Sequence, residues 1–216
     1  MWAGFASSLL LVTVAEFGDK TFFTPLILAM RHPRRWVFLG TWLALAVMTL
    51  LAVVVGKMLF KLLPPLSVRV LSAGVFATFG LRMLWQAYKM TPQQEKEEEE
   101  EALRLVEQAE EKGAGRGGAW AIVWEAFSLT ALAEFGDKTQ IATVSLAATH
   151  PEFSVWAGAT LGHGLMVGLA VVGGRFLAAH ISERAVHWVG GGLFLVFALM
   201  IGWELLGSGI IQIPVR

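Results

Sequence analysis

The chain contains no cysteine, so neither a disulfide nor a thiolate metal site is open to it. Charge is scarce as well. Asp, Glu, Lys and Arg make up 16% of the 216 residues, against about a quarter in a soluble domain. Aspartate is nearly absent, with Asp19 and Asp137 alone. Nucleic-acid binding would need a basic stripe with interleaved aromatic platforms, and no such stripe occurs outside the predicted helix ends. A basic leader followed by a small-residue cleavage site is missing too, so the first residues read as a membrane span rather than a removable signal.

What remains is apolar and arranged in blocks. Apolar residues make up 56% of the chain, and the mean hydropathy is +0.61. Trp36 to Gly56 and Phe153 to Gly174 contain no Asp, Glu, Lys or Arg. As helices, each is long enough to cross a ~30 Å hydrocarbon core at about 1.5 Å per residue. The pattern predicts an all-α integral membrane protein with the lipid bilayer as its partner. Six spans are expected, at roughly 3–30, 35–60, 66–88, 119–148, 153–178 and 185–207. They are separated at Arg31-His32-Pro33, Pro64-Pro65, Thr91-Pro92, His150-Pro151 and Ser182-Glu183.

The second half repeats the first at an offset of 118. Glu16 to Thr21 returns as Glu134 to Thr139, identical at all six positions. His32-Pro33 returns as His150-Pro151, Gly40 as Gly158, Met48 as Met166, Gly74 as Gly192 and Trp85 as Trp203. The organisation predicted is a three-helix repeat over 1–90, a linker over 91–117 and a second three-helix repeat over 118–216. Three is odd, so the second copy enters the membrane inverted. Basic residues agree: they crowd the 1–2, 3–4 and 5–6 connections, leaving Lys57, Lys61, Arg69 and Arg216 on the other side. By the positive-inside rule the linker is cytoplasmic and both termini lie outside, most simply across a prokaryotic cell membrane. Inverted repeats are a recurring transporter architecture with the site near the midplane.

The linker holds nine glutamates against Lys96, Arg104, Lys112 and Arg116, a net of −5, and the neutral whole leaves +5 elsewhere. It reads first as a solvated hydrophilic connector, with a cation-attracting or regulatory arm as the alternative.

The repeated Glu-Phe-Gly-Asp-Lys-Thr sits halfway along spans 1 and 4. An ionised group at the bilayer centre costs at least ~2.5–3.5 kcal/mol, so six of them in mirrored places must face one another or water. Glu, Asp at i+3 and Lys at i+4 would share a helical face. Gly18 and Gly136 allow close approach or let the helix open. Thr21, Thr139 and Gln140 add neutral oxygens beside the carboxylates. Four carboxylates (Glu16, Asp19, Glu134, Asp137) against Lys20 and Lys138 leave −2, which one divalent cation or two protons neutralise. All-oxygen ligands suit hard cations such as Ca²⁺, Mn²⁺ or Mg²⁺. His163, whose repeat counterpart is Leu45, is either a proton relay or nitrogen ligand, or a packed core histidine. His32 and His150 read as caps or interface residues, and Glu125, Glu204 and Arg82 as side chains snorkelling to water.

Two copies of Glu-x-Gly-Asp-Lys/Arg-Thr/Ser on spans 1 and 4, with an acidic central loop, resemble the GDT family of cation/proton exchangers. That family includes Golgi manganese–calcium transporters and bacterial manganese exporters. The resemblance covers all but the linker. It implies that Glu16, Asp19, Glu134 and Asp137 bind Mn²⁺ or Ca²⁺ and exchange protons, with Lys20 and Lys138 in the basic position and no cofactor. Phe22 stands where Gln140 follows the second motif, so the half-sites differ. An organic-solute exporter and a purely structural membrane protein are the competing readings. An intramembrane aspartyl protease fits poorly, because a lysine beside each aspartate favours ionisation of both.

Overall fold

The computed structural model describes residues 2–91, 97–112, 117–180 and 182–207. Of the residues weighed above, Pro92, Glu95, Lys96, Arg116 and Arg216 lie outside them. Nine α-helices occur among the described residues: α1 (Trp2–Ala15), α2 (Lys20–Arg31), α3 (Arg34–Lys61), α4 (Pro65–Lys89), α5 (Glu97–Glu111), α6 (Ala119–Glu134), α7 (Lys138–Thr149), α8 (Glu152–His180) and α9 (Glu183–Gly207). Four of them, α3, α4, α8 and α9, are long and apolar enough to cross a membrane.

The expected continuous spans 3–30 and 119–148 do not form. Each is two helices, α1–α2 and α6–α7, interrupted at Glu-Phe-Gly-Asp. Proline sets the next boundary in both halves. His32 and His150 adopt extended backbone before Pro33 and Pro151, as the pre-proline clash demands, and their N–H groups close the helices on Leu28 and Leu146 carbonyls.

Packing interlocks the two halves. Helix α1 lies on α8 and α6 on α3, while α4 lies along α9. Residues at the 118 offset trade places across these contacts. A Cβ on Gly40 would strike the Val123 carbonyl oxygen, and one on Gly158 the equivalent Phe5 carbonyl oxygen. Phe76 meets its counterpart Phe194 with ring centroids 5.8 Å apart. The contacts of Phe76 with Phe197 and of Phe79 with Phe194 are likewise exchanged. Trp42 Nε1 donates to the carbonyl of its own counterpart, Thr160, at 3.0 Å. Small residues at such crossings let backbones approach, the main source of helix association where lipid removes the hydrophobic drive.

Gly158→Ala should therefore lower stability by about 1–3 kcal/mol through overpacking, and Gly40→Ala likewise. Gly74→Ala is the control, since nothing lies within 4 Å of a Cβ there. Thermal unfolding of the purified chain in detergent, followed by tryptophan fluorescence, reads the difference. Equal melting of all three variants would refute the packing account.

Candidate functional site

Each motif copy lies across a helix break. Gly18 at φ 72° and Gly136 at φ 81° turn the backbone out of the helix, a left-handed conformation that strains any side-chain-bearing residue. The chain re-enters helix at Asp19 and Asp137, which cap α2 and α7. Asp19 Oδ1 accepts from the Lys20 N–H at 2.8 Å, and Asp137 Oδ2 from the Thr139 N–H at 3.2 Å. Unpaired amides and the helix dipole stabilise a carboxylate in that place. The expectation that Glu, Asp and Lys share one face of a continuous helix is thus corrected: the break, not the helical period, arranges them.

Across each break the threonine reaches back to the glutamate. Thr21 Oγ1 donates to Glu16 Oε2 in a short hydrogen bond, and Thr139 Oγ1 lies 2.9 Å from Glu134 Oε1 and 3.1 Å from Asp137 Oδ2. Gln140 behaves otherwise than expected. Its Oε1 accepts from the Gly136 N–H at 2.8 Å, so it fastens the backbone at the break instead of adding an oxygen beside the carboxylates. Phe22, in the matching place, stacks on Phe17 at 5.1 Å.

The two copies meet in the interior. Glu16, Glu134 and His163 of α8 are each no more than 3% exposed, and one ligand atom from each lies within 4.8 Å of the others. Glu16 Oε1, Glu134 Oε2 and His163 Nδ1 have no hydrogen-bond partner, and His163 Nδ1 stands 3.9 Å from Glu16 Oε1. Buried polar atoms are seldom left unsatisfied, and three such side chains gathered this closely form a ligand set suited to a cation or to protons.

The lysines part company. Lys138 Nζ crosses between the repeats to pair with Asp19 Oδ2, while Lys20 Nζ turns away to Glu101 of α5 at 3.8 Å. The symmetric count, one lysine beside each aspartate, is corrected accordingly. Asp137 is half-buried and, with Lys138 and Gly136, lines a cavity of about 260 Å³ formed with Phe79, Arg82, Gln86 and His187.

A family model described as the divalent cation/proton antiporter GDT1 matches residues 4–91 and 122–208. The chain belongs to the GDT1 family. It is 44% identical over 203 residues to the GDT1-like protein sll0615 of Synechocystis sp., covering 94% of this chain and 98% of that protein. The chloroplastic PAM71 homolog of Arabidopsis thaliana is 40% identical over 91% of this chain and 58% of its own length. GDT1-like protein 3 of Oryza sativa subsp. indica is 40% identical over 89% and 71%. No solved structure matches the chain. The family consists of cation/proton transporters and is not an enzyme class.

Two features of this GDT1 chain escaped sequence reasoning. Over its described length the linker is solvated on most of its surface but docked along one face. Helix α5 packs on α2, burying Ala102 and Val106 completely, and Arg31 pairs with both Glu107 and Glu110. Glu125 does not snorkel; it is 4% exposed, with His32 Nε2 3.4 Å away. The available signal was asymmetry, since Glu125 replaces Ser7 of the first repeat. Arg82 and Glu204 are exposed, and Arg82 lines the cavity together with His187, which sequence reasoning missed.

Removing one partner of a buried ion pair strands the other charge. Lys138→Met should destabilise the protein by about 3 kcal/mol. Lys20→Met, which loses a partner that is itself exposed, should change stability by under about 1 kcal/mol. Melting temperatures of the two variants in one detergent decide the matter, and equal losses would count against the Lys138–Asp19 assignment.

Proposed function

We propose that this chain is a secondary transporter that exchanges a divalent cation, Mn²⁺ or Ca²⁺, for protons and works in metal efflux. The observation that carries the proposal is the meeting of Glu16 and Glu134, one from each repeat and each with an unbonded oxygen, beside His163. Ionised, the pair carries two negative charges; a divalent cation or two protons restores neutrality. Asp19 takes its counter-charge from Lys138, and Asp137 sits at the edge of the cavity as a first or last ligand. Oxygen donors suit hard cations. His163 relays protons to and from Glu16.

In this reading the membrane is crossed six times. Helices α3, α4, α8 and α9 are continuous spans. The pairs α1–α2 and α6–α7 are interrupted ones: 14 and 12 residues in the first pair reach roughly 39 Å at 1.5 Å per residue. The reciprocal contacts at the 118 offset support two repeats related by a two-fold axis, inverted because each has three spans. Interrupted helices with capped ends at the site are a transporter device for holding charge where lipid supplies no water. A cytoplasmic linker and termini outside follow from the basic-residue bias, and the Synechocystis relative supports a prokaryotic membrane.

The two sides of the site differ. Helix α7 packs on α4, whereas α2 packs on α5 rather than on α9. The cavity beside Asp137 is lined from the late turns of α4 and the early turns of α9, the ends that lie on the linker side in the six-span arrangement. This supports a state open toward the linker side, with rocking of α4 and α9 supplying the alternate access.

Proteoliposomes test the exchange. With the membrane potential clamped at zero, an acid lumen should drive Mn²⁺ inward, and Glu16→Gln or Glu134→Gln should abolish the uptake. Because protons compete for the ligand carboxylates, acid on both faces should weaken metal binding. A pH gradient that moves no metal, or full activity in the glutamate variants, would refute the proposal. Topology has its own check. A single cysteine replacing the exposed Gln108 should react with an impermeant thiol reagent only after the cytoplasmic face is opened.

A further inference from the structure

A second group of metal-ligand side chains lies apart from the motif. His32 caps the end of α2, Glu125 projects from α6, and Glu110 comes from the linker helix α5. One ligand atom from each lies within 4.8 Å of the others. His32 Nε2 is 3.4 Å from Glu125 Oε2 and 3.6 Å from Glu110 Oε1. Donor atoms sharing a first-row ion at about 2.1 Å are roughly 3.0–3.4 Å apart, so small side-chain shifts would close the shell.

The decisive residue is Glu125. Its side chain is 1% exposed, and neither carboxylate oxygen has a hydrogen-bond partner, nor does His32 Nε2. A carboxylate buried this deeply requires a compensating charge or donor. The nearby guanidinium, on Arg31, is engaged by Glu110 Oε2 and Glu107. That leaves Glu110 Oε1 turned toward His32. Side chains of His32 and Glu110 are 18% and 27% exposed, which opens the cluster to water on one side.

Nothing in the repeat requires this cluster. In the second half, His150 Nδ1 is 2.9 Å from Thr149 Oγ1. The position equivalent to Glu125 is Ser7, and Glu110 belongs to the linker, which has no counterpart. Two carboxylates have therefore been added around one of two related histidines, on the side where α5 docks.

We propose that His32, Glu110 and Glu125 form a second divalent-cation site, distinct from the Glu16–Glu134 pair, whose occupant clamps α5 to α2 and α6. One imidazole and two carboxylates select a first-row transition ion such as Mn²⁺ over Ca²⁺, which takes six to eight oxygens. The ion would fill the remaining positions with water from the exposed side. Its occupancy responds to metal on the linker face and fixes the helix that lies along α2.

The test uses the full chain, purified in detergent, carrying Glu16→Gln and Glu134→Gln so that the central pair is silenced. Mn²⁺ is titrated by electron paramagnetic resonance, in which free Mn²⁺ gives a sharp signal that is lost on binding. This protein should still bind a single Mn²⁺, with imidazole nitrogen coupling in the pulsed spectrum. Adding Glu125→Gln should weaken that binding at least about tenfold. Adding His32→Ala should do the same and erase the nitrogen coupling. His32 is partly exposed, so its variant remains informative if Glu125→Gln folds poorly. The site is refuted if the silenced protein binds no Mn²⁺, or if binding survives His32→Ala with the coupling intact. Failure of the central-site reading would look different: wild type and silenced protein would then bind Mn²⁺ identically.

Discussion

Carboxylates inside an apolar helical body must be satisfied, and the arrangement of this protein follows from how that is done. Glu16, Asp19 and Glu134 are almost fully buried, where an unpaired charge is costly. The chain answers with three devices. Helix breaks at Gly18 and Gly136 expose amides that donate to the capping aspartates. Thr21 and Thr139 hold one oxygen of each glutamate. Lys138 crosses between the repeats to neutralise Asp19. What remains unsatisfied, one oxygen on each glutamate and a nitrogen of His163, is what a transported ion or proton would complete.

The two repeats are alike in sequence and unlike in company. Their long helices exchange equivalent contacts, as Phe76 with Phe194 and Gly40 with Val123 illustrate. The linker helix breaks the equivalence. By lying on α2 it draws Lys20 toward Glu101, while Lys138 keeps its place beside Asp19. Identical motifs therefore carry different charge environments, a difference an exchanger can use to bind on one side and release on the other. The same helix brings Glu110 to His32, where the second cation site is proposed.

The asymmetric features of the site were the hardest to read in advance. Gly18 and Gly136 read as places that let a helix open, because glycine at a polar motif within an apolar run has few other uses. Gln140 was misjudged: its amide serves the Gly136 backbone, and nothing in the sequence distinguishes a side chain that repairs a break from one that faces an ion. Glu125 was misjudged for the opposite reason. Its place near the predicted start of a span suggested water, but the docked linker helix and His32 close over it. Glu-rich composition points to solvation of α5, which holds for most of its surface, while Ala102 and Val106, four apart on one face, are the stripe that docks it.

The sequence by itself determined the membrane class, the duplicated motif and its family, and the four acidic residues on which the proposed exchange rests. Hydropathy, repeat offset and motif identity are local or periodic properties, and a linear string records them fully. Only the tertiary structure decided that both motifs sit at breaks rather than on continuous helices. It alone decided which lysine faces which aspartate, that Glu16 and Glu134 converge with His163, and that α5 is docked. Each of these turns on which side chain meets which across helices more than a hundred residues apart in the chain, or on where an exposed-looking helix finds a groove. Such contacts are settled by packing and burial of the whole body, and no local pattern encodes them.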